Sequence, residues 1–278
     1  MPRTLSELLT AATATLAPAS DSPRLDAELL LAHALAVPRS RLRTDPGTQP
    51  PAAAVERFEA WIVRRAAGEP LAYLVGEREF WSLALEVDPT VLVPRPETET
   101  LVAAALAGLP PDAALAVLDL GTGSGAIAIA LAHERPRWRV TAVDRSAAAL
   151  AVAARNCTRH AVVIELLEGR WFAPVAGRRF DLVVANPPYV APGDPHLAAL
   201  AHEPREALVS GDEGLADLAA ISAAAPAHLV PGGRLLLEHG ADQGPTVRRM
   251  LERAGFDGVR TATDGAGRPR VGMGTMRT

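Results

Sequence analysis

Four consecutive residues, Asn186-Pro187-Pro188-Tyr189, combine a side-chain amide, two rigid imino acids and an aromatic ring. Each proline restricts the residue before it to extended conformations and has no N–H to donate, so Asn186 and Pro187 lie in a stiff segment whose remaining polar groups are mostly acceptors. A planar NH2 group, amide or exocyclic amine, has two hydrogens to give and a lone pair spread into its π-system. Two acceptors gripping those hydrogens would aim the nitrogen at an electrophile and stabilise the positive charge that grows on it as it attacks. Tyr189 can lie against the flat group and exclude water. The basic residues are all Arg, with no Lys, and Ala is abundant, as in a GC-rich coding sequence. An Arg therefore carries little information, whereas Asn (only 156 and 186) and Tyr (only 73 and 189) carry more.

A second candidate lies upstream, in Asp119-Leu120-Gly121-Thr122-Gly123-Ser124-Gly125-Ala126. Missing β-carbons here let a ligand approach backbone N–H groups at the start of a helix. Gly121, Gly123 and Ala126 also fit the dinucleotide pattern G-x-G-x-x-G/A, which keeps a nicotinamide or flavin enzyme open. A carboxylate two residues before the first glycine would repel a pyrophosphate but attract the positive amino group of S-adenosylmethionine, and Asp119 stands there. Asp144, about 20 residues after the loop, is spaced to accept both hydroxyls of a ribose, a feature common to both cofactors.

These residues need strand ends to hold them. Leu115–Leu120, Val140–Val143, Val162–Leu167, Phe180–Ala185 and Arg234–Leu237 read as strands, most of them separated by Ala-rich helical stretches. Such alternation predicts a parallel sheet covered on both faces, with ligands at the carboxyl ends of its strands. Val259–Thr263 and Val271–Met273 supply a closing hairpin. Upstream, Leu5–Leu16, Leu25–Leu35 and Val55–Ala67 read as helices, the first opened by a Thr4/Glu7 capping box. From Val75 to Val93 the pattern alternates as in a β-hairpin connector, and Pro94 and Pro96 start a further helix that ends at Gly108.

The 28 basic and 32 acidic residues leave a formal charge of −4, which argues against a polyanion-coating protein. The single Cys157 excludes an internal disulfide and a thiol-pair redox function, and the seven His show no metal-like spacing, so no metal is assigned. Glu7 and the broken apolar stretch Leu101–Leu120 speak against a secretory leader and a membrane span; a cytoplasmic location is expected.

With these residues in view, the chain resembles S-adenosylmethionine-dependent methyltransferases of planar amino groups, and among them the peptide chain release factor N5-glutamine methyltransferases, the HemK-type family. Gly68–Gly76 with Phe80, Val91–Glu99, Glu203–Leu208 and Leu237–Gly240 with Gln243 resemble further signatures of that family, so the likeness covers nearly the whole chain. It implies an α/β fold: a small helical bundle at residues 1–75 that recognises a protein substrate, a β-hairpin linker at 76–95, and a seven-stranded class I, Rossmann-like methyltransferase domain at 96–278. By the same resemblance, Asp119, Gly121, Thr122, Gly123, Ser124, Gly125 and Asp144 would hold S-adenosylmethionine (product S-adenosylhomocysteine), with Trp171 beside its adenine and Asn186 contacting it. Asn186, Pro187, Pro188 and Tyr189 would hold the glutamine of the Gly-Gly-Gln tip of class 1 release factors. No direct nucleic-acid contact is expected, and the protein is expected to be a monomer.

The chain departs from the family pattern at Arg170, often Asp in relatives; an acid restored there would be expected to tighten a contact to adenine. Arg95, Glu97 and Glu99 suit helix-start chemistry as well as a site, Tyr73 and Phe80 suit linker core, and Arg39, Arg41 and Arg43 suit a solvated face that could touch an acidic partner. A DNA adenine-N6 or cytosine-N4 amino-methyltransferase is the alternative, because the Asn-Pro-Pro-Tyr chemistry suits a flipped base. Residues 1–75, with eight Arg and eight acidic residues, lack the basic excess of a DNA clamp. A cofactor-sensing protein without catalysis would call for a degraded loop or a missing Asn186.

Overall fold

The computed structural model describes residues 3–277. They form two compact units, divided between Glu77 and Arg78.

The first unit is helical: α1 (Leu5–Leu16), α2 (Pro23–Leu35), the single turn α3 (Arg41–Thr44), α4 (Ala52–Ala66) and α5 (Leu71–Val75). The capping box forms, with Thr4 N–H donating to Glu7 at 2.8 Å and Glu7 N–H to the Thr4 hydroxyl at 3.3 Å. Leu8, Leu9, Leu16, Leu30, Leu31 and Phe58 build the core. Helices α2 and α4 begin two and three residues earlier than their apolar periodicity suggests. Pro23 is itself the first residue of α2 and Pro51 immediately precedes α4, and alanines then extend the helix without needing an apolar partner. Tyr73 is core, and Glu28, only 5% exposed, is surrounded by Arg24, Arg39 and Arg43. Burial pushes the Glu28 pKa up, but hydrogen bonds and charge from Arg24 and Arg43 outweigh it and hold the carboxyl below its usual range. Two members of the arginine cluster thus have an internal partner, and Arg41 pairs with Asp45.

From Arg78 the second unit opens within the hairpin β1 (Glu77–Phe80) and β2 (Leu83–Glu86), whose turn puts Trp81 and Ser82 in the left-handed region. Pairing ends at Glu86, so the stretch to Val93 continues as an irregular segment. Phe80 and Leu85 are buried in the core of this second unit. After a 3₁₀ turn at Pro96–Thr98 comes α6 (Glu99–Leu106). Then follow β3 (Ala116–Leu120), α7 (Ala126–Glu134), β4 (Arg139–Asp144), α8 (Ala147–Arg159), β5 (Ile164–Glu168) and β6 (Phe180–Ala185). The sheet is completed by β7 (Leu229–Glu238), β8 (Phe256–Thr263) and β9 (Pro269–Met276). Strand β7 extends beyond the Arg234–Leu237 run because Pro231-Gly232-Gly233 is accommodated where the β6/β7 register shifts.

The seven strands lie in the order β5-β4-β3-β6-β7-β9-β8, parallel except for β9, which runs antiparallel to both neighbours. Adjacent residues enter opposite layers, as period-2 geometry requires: Val117, Leu182 and Leu236 on one face, Leu118, Val183 and Leu235 on the other. The chain winds outward from β3 in one direction and from β6 in the other. The gap between their carboxyl ends, at Leu120 and Ala185, is the switch point where such sheets bind ligands. Among the described residues, no helix is long and apolar enough to cross a membrane.

Candidate active site

A cleft of about 1040 Å³, open space at its mouth included, lies at this switch point, and the glycine loop forms part of its lining. Gly121, Gly123 and Gly125 all have positive φ (+74°, +55° and +85°). Gly125 also has no room for a side chain, since a β-carbon there would come within 2.9 Å of Ile129, whereas one on Gly121 would make ordinary contact with the Trp171 ring at 3.4 Å. Asp144 fastens the loop from below, accepting the Gly123 N–H at 2.8 Å on one oxygen and the Ser146 N–H at 2.9 Å on the other.

Asp119 is completely buried beneath the loop and does not line the cleft. Its Oδ2 accepts the Thr122 hydroxyl at 2.6 Å, while Oδ1 has no partner. Burial pushes its pKa up to about 7, with the Asp144 charge adding to the shift and the Thr122 hydrogen bond opposing it. A group in this state favours a cation nearby. Thr122 does line the cleft and stands between it and Asp119.

Asn186, at the end of β6, donates its Nδ2 to the Thr98 hydroxyl at 3.2 Å, which leaves the amide oxygen as the group with acceptor capacity to spare. Thr98, 4% exposed, comes from the turn before α6, 88 residues away in sequence. Its neighbours Arg95, Glu97 and Glu99 stand out in the sequence as charged groups, whereas nothing local signals the hydroxyl among them. Arg95 pairs with buried Glu203, whose other oxygen accepts the Val93 N–H at 3.1 Å, and Glu99 accepts the Trp81 N–H at 2.9 Å. Both therefore do more than start a helix.

Pro188 lines the cleft, whereas Pro187 is buried and the Tyr189 side chain turns into the interior. The Tyr189 hydroxyl points to Glu238 at 3.4 Å, and burial raises its pKa. Glu238 is itself pushed up to about 7 by burial, and Thr98 is among the groups that oppose the shift. The Tyr189 carbonyl accepts from Gln243 Nε2 at 3.0 Å, and a β-carbon on Gly214 would come within 2.2 Å of that same oxygen. Gly214 is thus a site-forming residue that no local pattern signalled.

Trp171 has φ of +49° and lies against Gly121 with its indole N–H buried and unpaired. Arg170, next to it, donates to Asp217 at 3.0 Å, and Asp217 also accepts the Ser210 hydroxyl at 2.8 Å. Asp217 therefore already places an acid at this end of the cleft, and Arg170 has a partner of its own. Arg170→Asp would set two carboxylates against each other and is expected to lower the melting temperature by roughly 2–4 °C, about 1 kcal/mol. An unchanged or higher melting temperature in a thermal scan would refute this. Cys157 is buried, with its thiol pushed up by burial, and no cluster of His, Cys, Asp or Glu suited to a metal occurs among the described residues.

Residues 7–76 match the PrmC N-terminal domain family and residues 100–263 the methyltransferase small domain family. The release factor glutamine methyltransferase of Pseudomonas aeruginosa is 53% identical over 262 residues, covering 92% of this chain and 94% of its own. That of Burkholderia pseudomallei is 48% identical, covering 99% and 97%. The chain belongs to the release factor glutamine methyltransferase family. A 16S rRNA N2 G1207 methyltransferase from T. thermophilus, solved with AdoMet and guanosine, superimposes with a TM-score of 0.56 at 23% identity over 72% of this chain and 50% of its own, a likeness of fold. For a release factor glutamine methyltransferase, the arrangement is chemically coherent. A glycine-lined cleft with an enclosed carboxylate lies at the switch point, and at its edge stands an amide whose N–H side is already engaged.

Proposed function

We propose that this chain transfers the methyl group of S-adenosylmethionine to the side-chain amide nitrogen (N5) of the glutamine in the Gly-Gly-Gln motif of class 1 peptide chain release factors. The observation that carries this reading is family membership along more than nine-tenths of the chain, joined to the Thr98-held Asn186 at the rim of the cleft. The residues present fit S-adenosylmethionine: three glycines leave the loop backbone accessible, Asp144 is at ribose spacing, and the unpartnered Asp119 oxygen suits a positively charged amino group. When bound, the cofactor supplies a methyl group made electrophilic by its sulfonium.

Gly121, Thr122, Gly123, Ser124 and Gly125 would cradle that ligand, Asp119 would act through Thr122 and by its field, and Trp171 would flank the adenine. The Asn186 oxygen and the carbonyls of the Pro187-Pro188 segment would take the two amide hydrogens of the substrate glutamine. This orients the nitrogen and favours the positive charge that develops on it. Tyr189, set against Glu238, would hold that segment at its inner end. The helical unit would select the release factor, and the enzyme would act as a monomer without direct nucleic-acid contact.

The direct test is incubation of the full chain with methyl-labelled cofactor, offering purified release factor and duplex DNA side by side, and locating the label. Label on the Gly-Gly-Gln glutamine is the expected result; label on DNA alone would favour the base-methylating alternative.

Asp144→Ala is expected to weaken S-adenosylhomocysteine binding by about 10- to 100-fold, because it removes a charged acceptor worth roughly 1.5–3 kcal/mol and also frees the Gly123 N–H. Calorimetry showing unchanged affinity would assign the ribose contact elsewhere.

The raised pKa of Asp119 sets a pH dependence of definite sign. The free protein holds a proton on Asp119 below about pH 7, and a bound cation favours the ionised form, so binding releases that proton. Affinity for S-adenosylmethionine should therefore rise with pH below about 7, by up to about tenfold per unit, and level off above it. Asp119→Asn should flatten the profile. For the unliganded protein the same group favours folding below its ordinary pKa, and this contribution is lost as pH rises toward about 7. An affinity that falls as pH rises across this range would contradict the assignment.

A further inference from the structure

Asn156 is one of two asparagines in the chain, and the catalytic reading leaves it unused. It lies on α8, 0% exposed, with its amide fully engaged by backbone. Its Oδ1 accepts the Glu86 N–H at 2.7 Å, and its Nδ2 donates to the Glu86 carbonyl and to the Ser124 carbonyl, both at 2.9 Å. Glu86 ends the hairpin strand β2, and Ser124 belongs to the glycine loop. One turn earlier on the same helix, Ala153 closes on the next loop residue: a β-carbon on Gly125 would stand 3.3 Å from its Cβ.

Two other residues of this segment hold the hairpin without reaching the loop. Arg155 pairs with Glu86 at 2.6 Å and Asp88 at 3.2 Å, in a half-exposed cluster. His160 binds the Ala84 carbonyl at 2.8 Å. Beyond β2 the chain continues into Thr90, Val91, Leu92 and Arg95, which line the cleft. The hairpin therefore leads into one part of the cleft lining and the glycine loop forms another, and Asn156 hydrogen-bonds to both.

We propose that Asn156 is a positioning residue that locks the hairpin and the glycine loop into one body, and so sets affinity for S-adenosylmethionine and its product without touching either. The inference rests on the reading of the cleft as the cofactor site. The residue type follows from the hydrogen-bond inventory: two donations and one acceptance from a single planar group are available to an amide, whereas Asp would lose both donations and Leu all three bonds. Unpairing buried backbone groups is costly enough to shift a loop by a population that binding can read.

The test is calorimetric titration of the full-length wild type, Asn156→Ala and Arg155→Ala with S-adenosylhomocysteine, with thermal melts of each. Asn156→Ala is expected to weaken binding by about tenfold or more, and Arg155→Ala by less than about twofold although it too loosens the hairpin. Hydrogen exchange on the wild type gives a readout that needs no variant. Adding S-adenosylhomocysteine should slow exchange at the Glu86 amide as well as in the loop, whereas a merely structural Asn156 would leave Glu86 indifferent to ligand. The proposal is overturned by an Asn156→Ala protein that binds within about twofold of wild type, by equal weakening in Arg155→Ala, or, should Asn156→Ala not fold, by an unresponsive Glu86 amide. A wild type that does not bind S-adenosylhomocysteine overturns the functional reading itself, and this inference with it.

Discussion

Asn186→Ala is expected to reduce methyl-transfer turnover by about a hundredfold or more while leaving affinity for S-adenosylhomocysteine within about twofold, by analogy with losing one preorganised transition-state contact. Thr98 engages the nitrogen side of the amide, so the oxygen is held before substrate arrives and little reorganisation is left for the reacting complex. Alanine removes that acceptor, and the flexible glutamine amide can then turn its nitrogen away from the methyl group. The selectivity of the effect follows from placement: Asn186 immediately follows β6, whereas the glycine loop follows β3 and is fastened by Asp144. Single-turnover kinetics with labelled cofactor, alongside calorimetry, separate the two quantities. A loss of only a few-fold in the single-turnover rate would remove the orienting role.

The second large effect should come from the helical unit. A chain beginning at Arg78 keeps Phe80, Leu85 and both layers of the sheet, so it is expected to bind S-adenosylhomocysteine as the full chain does. Methylation of an intact release factor should nevertheless fall by more than about a hundredfold, because the loss of remote substrate contacts also loses the orientation they provide. With equal numbers of basic and acidic residues over 1–75, association with the release factor should depend only shallowly on salt. A duplex-binding enzyme that neutralises phosphates would instead lose affinity steeply. Full-length rates from the truncated chain would show that substrate selection resides in the second unit.

The candidate chemistry along this chain is legible in the sequence because each of its patterns is local. Asp119 near the end of a strand that runs into glycines, Asp144 at the end of the next strand about 20 residues after the loop, and Asn-Pro-Pro-Tyr directly after an apolar strand are each patterns that a short window of sequence contains. Period-2 and period-3.6 hydrophobicity then fixes where such strands and helices lie. The capping box at Thr4 and Glu7 belongs to the same class, since both partners lie within one turn.

What the tertiary structure decided involves partners far apart in sequence. Thr98 meets Asn186 across 88 residues, Arg170 meets Asp217 across 47, and Asn156 reaches Glu86 across 70. Gly214 is needed because the Tyr189 carbonyl passes within 2.2 Å of where its side chain would be. The hairpin joins the second unit because Phe80 and Leu85 find their core there. Each of these depends on which surfaces the folded sheet brings together, and side-chain hydrogen bonds and close backbone approaches of that kind leave no periodic trace in the sequence. Local pattern thus determined which residues are candidates for the chemistry; long-range packing determined how Asn186 is turned, how deeply Asp119 is enclosed and what holds the glycine loop still.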